Sequence, residues 1–216
     1  MVAESETVYL IPVDGVTLEG QLAVPDGATG LVVFAHGSGS SRHSPRNNYV
    51  AETLRDRGLG TLLFDLLTER EDQRRENRFE IPLLTDRLVA VTEWTRERLD
   101  AAGLPIGYFG SSTGAAAALR GAARRPDEIE AVVSRGGRVD MAEEALDSVR
   151  AATLFVVGGA DHDVLALNED AYDRLRCEKE LHVVPGAGHL FEGPGELEAV
   201  AERAGEWFER RLGRRR

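Results

Sequence analysis

The feature that most constrains this chain is an alternation that begins near residue 31. Short runs of continuous apolar, β-rich sequence are separated by segments of helical length. The runs fall at 31–35, 61–64, 106–109, 129–134, 154–157 and 181–184. A strand that is apolar at every position cannot turn one face to water, so it must be covered on both sides. Repeated strand–helix units meet that need by building a mainly parallel sheet with helices on both faces. The helical segments carry the matching pattern. Residues 81–99 set Leu84, Leu88, Val91 and Leu99 on or near one face, and residues 197–212 do the same with Val200, Ala204, Trp207 and Phe208. Ahead of the alternation, two β-type runs at 7–13 and 16–24 flank Asp14-Gly15. That pair predicts a type I′ hairpin, whose turn needs positive φ at both central positions. The expected fold class is therefore α/β. It is a mainly parallel sheet with an N-terminal antiparallel hairpin and helices on both faces. No long insertion follows Ser134, so no separate lid domain is expected.

Composition sets the outer limits. The 216 residues suit one domain, 1–216, by the prior of roughly 150 residues each. A core of that size buries roughly 70% of the unfolded surface and needs no staple. Cys177 is the single cysteine, so no internal disulfide forms and a cytoplasmic location is expected. The opening M-V-A-E-S-E-T lacks the basic and apolar regions of a signal peptide. No run approaches the roughly 18 apolar residues that would span a bilayer. A net charge of -11 repels nucleic acid and anionic membranes. The expected partner is a small-molecule substrate, with no nucleic acid and no membrane.

The chemistry centres on Gly110-Ser111-Ser112-Thr113-Gly114, a G-x-S-x-G string between the strand at 106–109 and a small-residue helix at 115–123. At such a junction the string is a nucleophile elbow, with the hydroxyl of Ser112 exposed on a strained turn. A serine hydroxyl needs a base, and the base an orienting carboxylate. The run at 154–157 leads into Asp161, and the run at 181–184 leads into His189, in the order Ser, Asp, His. Asp163 is a second carboxylate close by. A helix starting near Val164 predicts Asp163 at its N-cap, which leaves Asp161 for His189. The oxyanion hole is expected from the backbone N–H groups of Thr113 and Ser38, the latter in the glycine-rich stretch after residue 35. His36 reads as a support for that stretch, and Arg42, His43 and Arg46 as rim or helix-start residues. Arg135 and Arg138 follow a strand end on the same side of the sheet. Arg135 is the candidate for an anionic substrate group, with loop bracing as the other reading. The charge run at 69–78 reads first as a solvated loop, and second as part of a site rim, because it follows a strand's carboxyl end.

These residues resemble α/β-hydrolases of the dienelactone hydrolase-like group. The likeness runs through H-G-S-G-S-S from His36, F-D-L-L-T from Phe64, G-Y-F-G-S-S-T-G from Gly107, V-V-S-R-G-G-R from Val132, V-V-G-G-A-D from Val156 and V-P-G-A-G-H-L-F-E-G-P-G from Val184. The resemblance implies a triad of Ser112, Asp161 and His189, no cofactor and no metal. Dienelactone hydrolases proper use a cysteine nucleophile where this chain has Ser112, which points to a serine esterase acting on ester- or lactone-like bonds. Similar sequences are also found fused to phosphoribosyltransferases, and no such partner is expected within these 216 residues. Two alternatives stay open: peptidase or thioesterase chemistry on the same fold, and a catalytically silent binding module.

Overall fold

A computed structural model describes residues 7–98 and 101–213. Its strands are β1 (Thr7–Val13), β2 (Val16–Ala23), β3 (Leu31–Ala35), β4 (Gly60–Phe64), β5 (Ile106–Ser111), β6 (Ile129–Arg135), β7 (Ala152–Gly158) and β8 (Lys179–Val184). They form one sheet in the order β1-β2-β4-β3-β5-β6-β7-β8. The hairpin β1–β2 is antiparallel and β2 pairs antiparallel with β4; every later pairing is parallel. Asp14 and Gly15 have φ of 46° and 80°, as a type I′ turn requires.

The helices are α1 (Pro45–Asp56), α2 (Glu69–Asp72), α3 (Ile81–Arg96), α4 (Thr113–Arg124), α5 (His162–Arg174) and α6 (Glu196–Leu212). Strand alternation sends Phe34, Phe109 and Val133 to one face, where Val50 and Leu54 of α1 and Trp207 and Phe208 of α6 cover them. Tyr108 and Val132 point the other way, beneath Leu84 and Leu88 of α3 and Ala116 and Leu119 of α4. Each large side chain buried in this way is worth about 1.5–3 kcal/mol of transfer free energy. The apolar faces read from the sequence are the buried ones. Leu99 lies outside the described residues, as do Arg214, Arg215 and Arg216 of the terminal arginine run. No helix among the described residues is long and apolar enough to cross a membrane.

Three local readings need correction. The run at 69–78 is no plain loop: it forms α2 and a 3₁₀ turn at Arg75–Phe79. Thr68 and Glu71 make a reciprocal capping box, and the other oxygen of Glu71 accepts from Arg87 at 2.9 Å. Polar caps rather than an apolar stripe hold this segment, so hydrophobic periodicity carried no sign of it. Secondly, α5 starts at His162, so Asp161 occupies the N-cap position and Asp163 lies inside the first turn. Thirdly, β5 runs on to Ser111 and α4 starts at Thr113, which leaves Ser112 alone between them.

The strand order decides where a ligand binds. From β3 the chain passes to β4 on one side, and β5 lies on the other. Connections that leave in opposite directions open a crevice at the carboxyl ends of the two strands between them. That crevice lies between β3 and β5.

Candidate active site

Ser112 has φ 51° and ψ -119°, a sparsely populated conformation for a residue with a side chain. Such strain costs about 1–3 kcal/mol and persists only where the surroundings impose it. Here its N–H donates to the Arg135 carbonyl at 3.1 Å, and its carbonyl accepts from the N–H groups of Ala115 at 3.1 Å and Arg138 at 3.0 Å. The flanking glycines are steric necessities. A Cβ on Gly110 would lie 2.5 Å from the Ala115 Cα, and one on Gly114 would collide with the carbonyl oxygens of Ala35 and His36. Although Ser112 stands at the N-cap position of α4, its hydroxyl makes no capping bond. The hydroxyl is left for other chemistry.

Asp161 and His189 are brought together from the loops after β7 and β8. His189 Nδ1 lies 2.7 Å from Asp161 Oδ2. The carboxylate forgoes its helix-capping bond for this contact. With its Nδ1–H donating to the Asp161 carboxylate, His189 leaves Nε2 as the nitrogen able to accept a proton. Gly136 (φ 52°) runs under the imidazole: a Cβ there would sit 3.4 Å from ring atoms Cε1 and Nδ1. Since the preceding Arg135 carbonyl holds Ser112, one short turn touches both the serine backbone and the histidine ring. Asn168, fully buried on α5, ties that turn down by donating to the Gly137 carbonyl at 2.9 Å and the Val164 carbonyl at 2.7 Å. Nothing in the sequence singled out Asn168, which there looked like one polar residue of a helix. Among the described residues no hydrogen bond joins the Ser112 hydroxyl to His189; such bonds are often long before substrate binds.

The stretch after β3 completes the site. His36 is buried, and its Nε2 accepts from the Leu66 N–H at 3.0 Å while Nδ1 donates to the Gly37 carbonyl at 3.0 Å. Burial pushes its pKa below the ordinary histidine value, against the opposing Gly37 bond. A neutral ring with both nitrogens committed supports the loop. Gly37 brings the loop against Ser112, its Cβ position being 3.1 Å from the Ser112 Cβ. The N–H groups of Ser38 and Thr113 have no acceptor among the described residues. Both residues line a shallow recess, together with Leu67, Leu84, Asp72 and Arg78. The last two come from the charge run, so its second reading, as a site rim, describes it better than its first.

The remaining arginines divide. Arg42 pairs with Asp65 and Glu19, and Arg46 approaches Glu192 at 3.7 Å. Arg138 makes a two-pronged contact with Asp140 at 2.9 and 2.8 Å, which braces its own loop. Arg135 is buried, and its Nε and Nη1 have no partner. Among the described residues no group of three or more His, Cys, Asp or Glu side chains is placed to hold a metal ion.

Residues 18–212 match the model of the Dienelactone hydrolase family. The chain belongs to that family. A dienelactone hydrolase from Anabaena variabilis is 54% identical, superposes with a TM-score of 0.94, and is matched over 96% of this chain and 98% of its own. The family is one of hydrolases on the α/β fold. Est1E from Butyrivibrio proteoclasticus, 19% identical over 95% of this chain and 98% of its own with a TM-score of 0.81, shares the fold. A putative phosphoribosyl transferase of Mycobacterium tuberculosis is 56% identical over 193 residues, which is 89% of this chain. This dienelactone hydrolase family chain spans only 44% of that relative's length.

Proposed function

We propose that the protein hydrolyses ester- or lactone-like bonds of a small substrate through an acyl-enzyme on Ser112. The observation that carries this reading is the strained Ser112, at φ 51°, whose N–H is held by the same short turn, Arg135–Gly136, that touches the ring of an Asp161-bound His189. His189 Nε2 takes the hydroxyl proton as Ser112 Oγ attacks the carbonyl carbon. Asp161 keeps the imidazole in the tautomer that can accept it and stabilises the cation that forms. The unpartnered N–H groups of Ser38 and Thr113 donate to the tetrahedral oxyanion. His189 then passes its proton to the leaving alcohol, and water, deprotonated by the same ring, releases the acid.

Support also comes from membership of a hydrolase family. Phosphoribosyl transfer is not proposed, because that name belongs to a relative of which this chain covers 44%. A fluorophosphonate probe tests the reading directly. Rapid labelling that disappears in Ser112→Ala is expected, and a wild-type protein that resists the probe would leave a silent binding module as the better account.

A further inference from the structure

Among the described residues no carboxylate pairs with the charge of Arg135. This arginine ends β6 and is 8% exposed. Its Nε and Nη1 are buried and unpartnered, so its remaining contact with solvent falls on Nη2. Arg87, buried to a similar degree, is treated differently: the Glu71 carboxylate and the Val13 carbonyl both meet it. The charged group that acts on Arg135 is another cation, Arg46. Burial first, and Arg46 second, push the Arg135 pKa down to about 10, so it stays protonated at neutral pH.

The location gives this charge a use. Alternation along β6 puts Arg135 on the same face as Val133, the face of α1 and α6, where Ala187 and Phe191 of the His189 loop also pack. Arg46, near the start of α1, bridges to Glu192 of the His189 loop at a loose 3.7 Å, and Glu192 is 72% exposed. The start of α1 and the histidine loop are thus joined by a pair that is easily opened. The Arg135 backbone itself holds Ser112.

We propose that Arg135 and Arg46 form a subsite for a phosphate group carried by the substrate, with the phosphate taking the place of Glu192 on Arg46. The inference rests on the reading of Ser112 as nucleophile and adds the substrate's second functional group. Charge decides the class. Among the described residues the pair of guanidiniums has one carboxylate partner, the exposed Glu192 on Arg46, and exchanging it for another carboxylate leaves the excess positive charge as it was. A phosphate dianion removes it and supplies enough oxygens for both arginines.

Inorganic phosphate titrated against the full chain at constant ionic strength, with the thermal midpoint as readout, tests the subsite apart from catalysis. A rise of about 5 °C or more is expected at a hundredfold excess over Kd. The rise should vanish in Arg135→Met, shrink in Arg46→Gln and appear at lower phosphate in Glu192→Gln. Arg135→Met should also melt higher than wild type without phosphate, since an unpaired buried charge is gone. Should Arg135→Met fail to fold, the half-exposed Arg46→Gln and Glu192→Gln carry the test. In kinetics, kcat/KM for an ester bearing a phosphate should exceed that of its neutral isostere by about tenfold, a preference lost in Arg46→Gln. A midpoint indifferent to phosphate, or a carboxylate ester preferred over the phosphate ester, overturns the proposal. If Ser112 still reacts with a fluorophosphonate in that case, the hydrolase reading survives alone. Phosphate stabilisation with an unreactive Ser112 would leave the subsite and remove the hydrolase.

Discussion

Asp161 and Asp163 are separated by one residue and have different chemistry. Asp161 holds the N-cap position of α5 but gives its carboxylate to His189, whereas Asp163 sits in the first helical turn. Asp161→Asn should keep the fold and lower kcat by up to about 10⁴-fold, because the amide favours the wrong imidazole tautomer. Asp163→Ala should retain most activity and lose only the interaction of an acidic side chain with the helix dipole, about 0.3–1 kcal/mol. Measured kcat and thermal midpoint for both variants decide the matter; a collapse of kcat in Asp163→Ala would reverse the roles. Ser112→Ala should reduce kcat by about 10⁶-fold on any good ester, and a variant keeping a tenth of the activity would refute its assignment as nucleophile. Position after successive strands was enough to pick out Ser112 at the β5–α4 junction and Asp161 and His189 in the loops that the structure brings together. The start of α5 was misplaced because apolar spacing locates the middle of a helix better than its first residue. Arg135 was legible as a charge near the site, but not as a buried one. Burial follows from which side of β6 it leaves, the side that packs against α6.

At the scale of elements, the β5–Ser112–α4 junction is the part of the fold with least freedom. Its tightness has a measurable signature in two glycines near the site. Gly114→Ala pushes a methyl group into the Ala35 and His36 carbonyl oxygens, which neither β3 nor α4 can yield without moving Ser112. A loss of about 1–3 kcal/mol, read by chemical denaturation, is expected, together with loss of activity. Gly188, next to His189, has no atom within 4 Å of its Cβ position, so Gly188→Ala should stay within about 0.5 kcal/mol of wild type. Equal costs for the two would contradict the close approach of α4 to β3. Elements held by apolar patterning were readable: the hairpin, the continuous strands, and the faces of α3 and α6. The segment of α2 and its 3₁₀ neighbour was not, because Thr68, Glu71 and Arg87 hold it with hydrogen bonds between residues that look like ordinary surface charges. Strand order was hidden for another reason. Fully buried parallel strands such as β3, β5 and β7 are alike in composition, and nothing in one of them names its neighbour.

For the molecule as a whole, the response to acid follows from histidines that the fold prefers neutral. Burial lowers the pKa of His36, and partial burial followed by Arg203 lowers that of His182. In the unfolded chain each takes up a proton near the ordinary histidine value of about 6.5. In the folded chain each does so only at lower pH. Between those limits the unfolded state binds more protons, so stability falls as pH falls, by up to about 1.4 kcal/mol per pH unit for the buried His36 and by much less for His182, whose shift is screened by solvent. Above about pH 7 both states are neutral at these positions and the effect is absent. The chain's net charge of -11 opposes this trend only weakly, since most carboxylates titrate at lower pH. His36→Gln separates the contributions. The Gln side-chain oxygen can still accept from the Leu66 N–H, but the donor to the Gly37 carbonyl is lost, so the variant should be about 1 kcal/mol less stable at pH 7.5. It no longer titrates, so its stability should fall less steeply than that of wild type from pH 6.5 to 5.5. Urea unfolding of both proteins at pH 7.5, 6.5 and 5.5 measures the difference. Parallel pH profiles would mean that His36 protonates as readily in the folded protein as in the unfolded chain, and that the loop beside Ser112 is not held by a neutral ring.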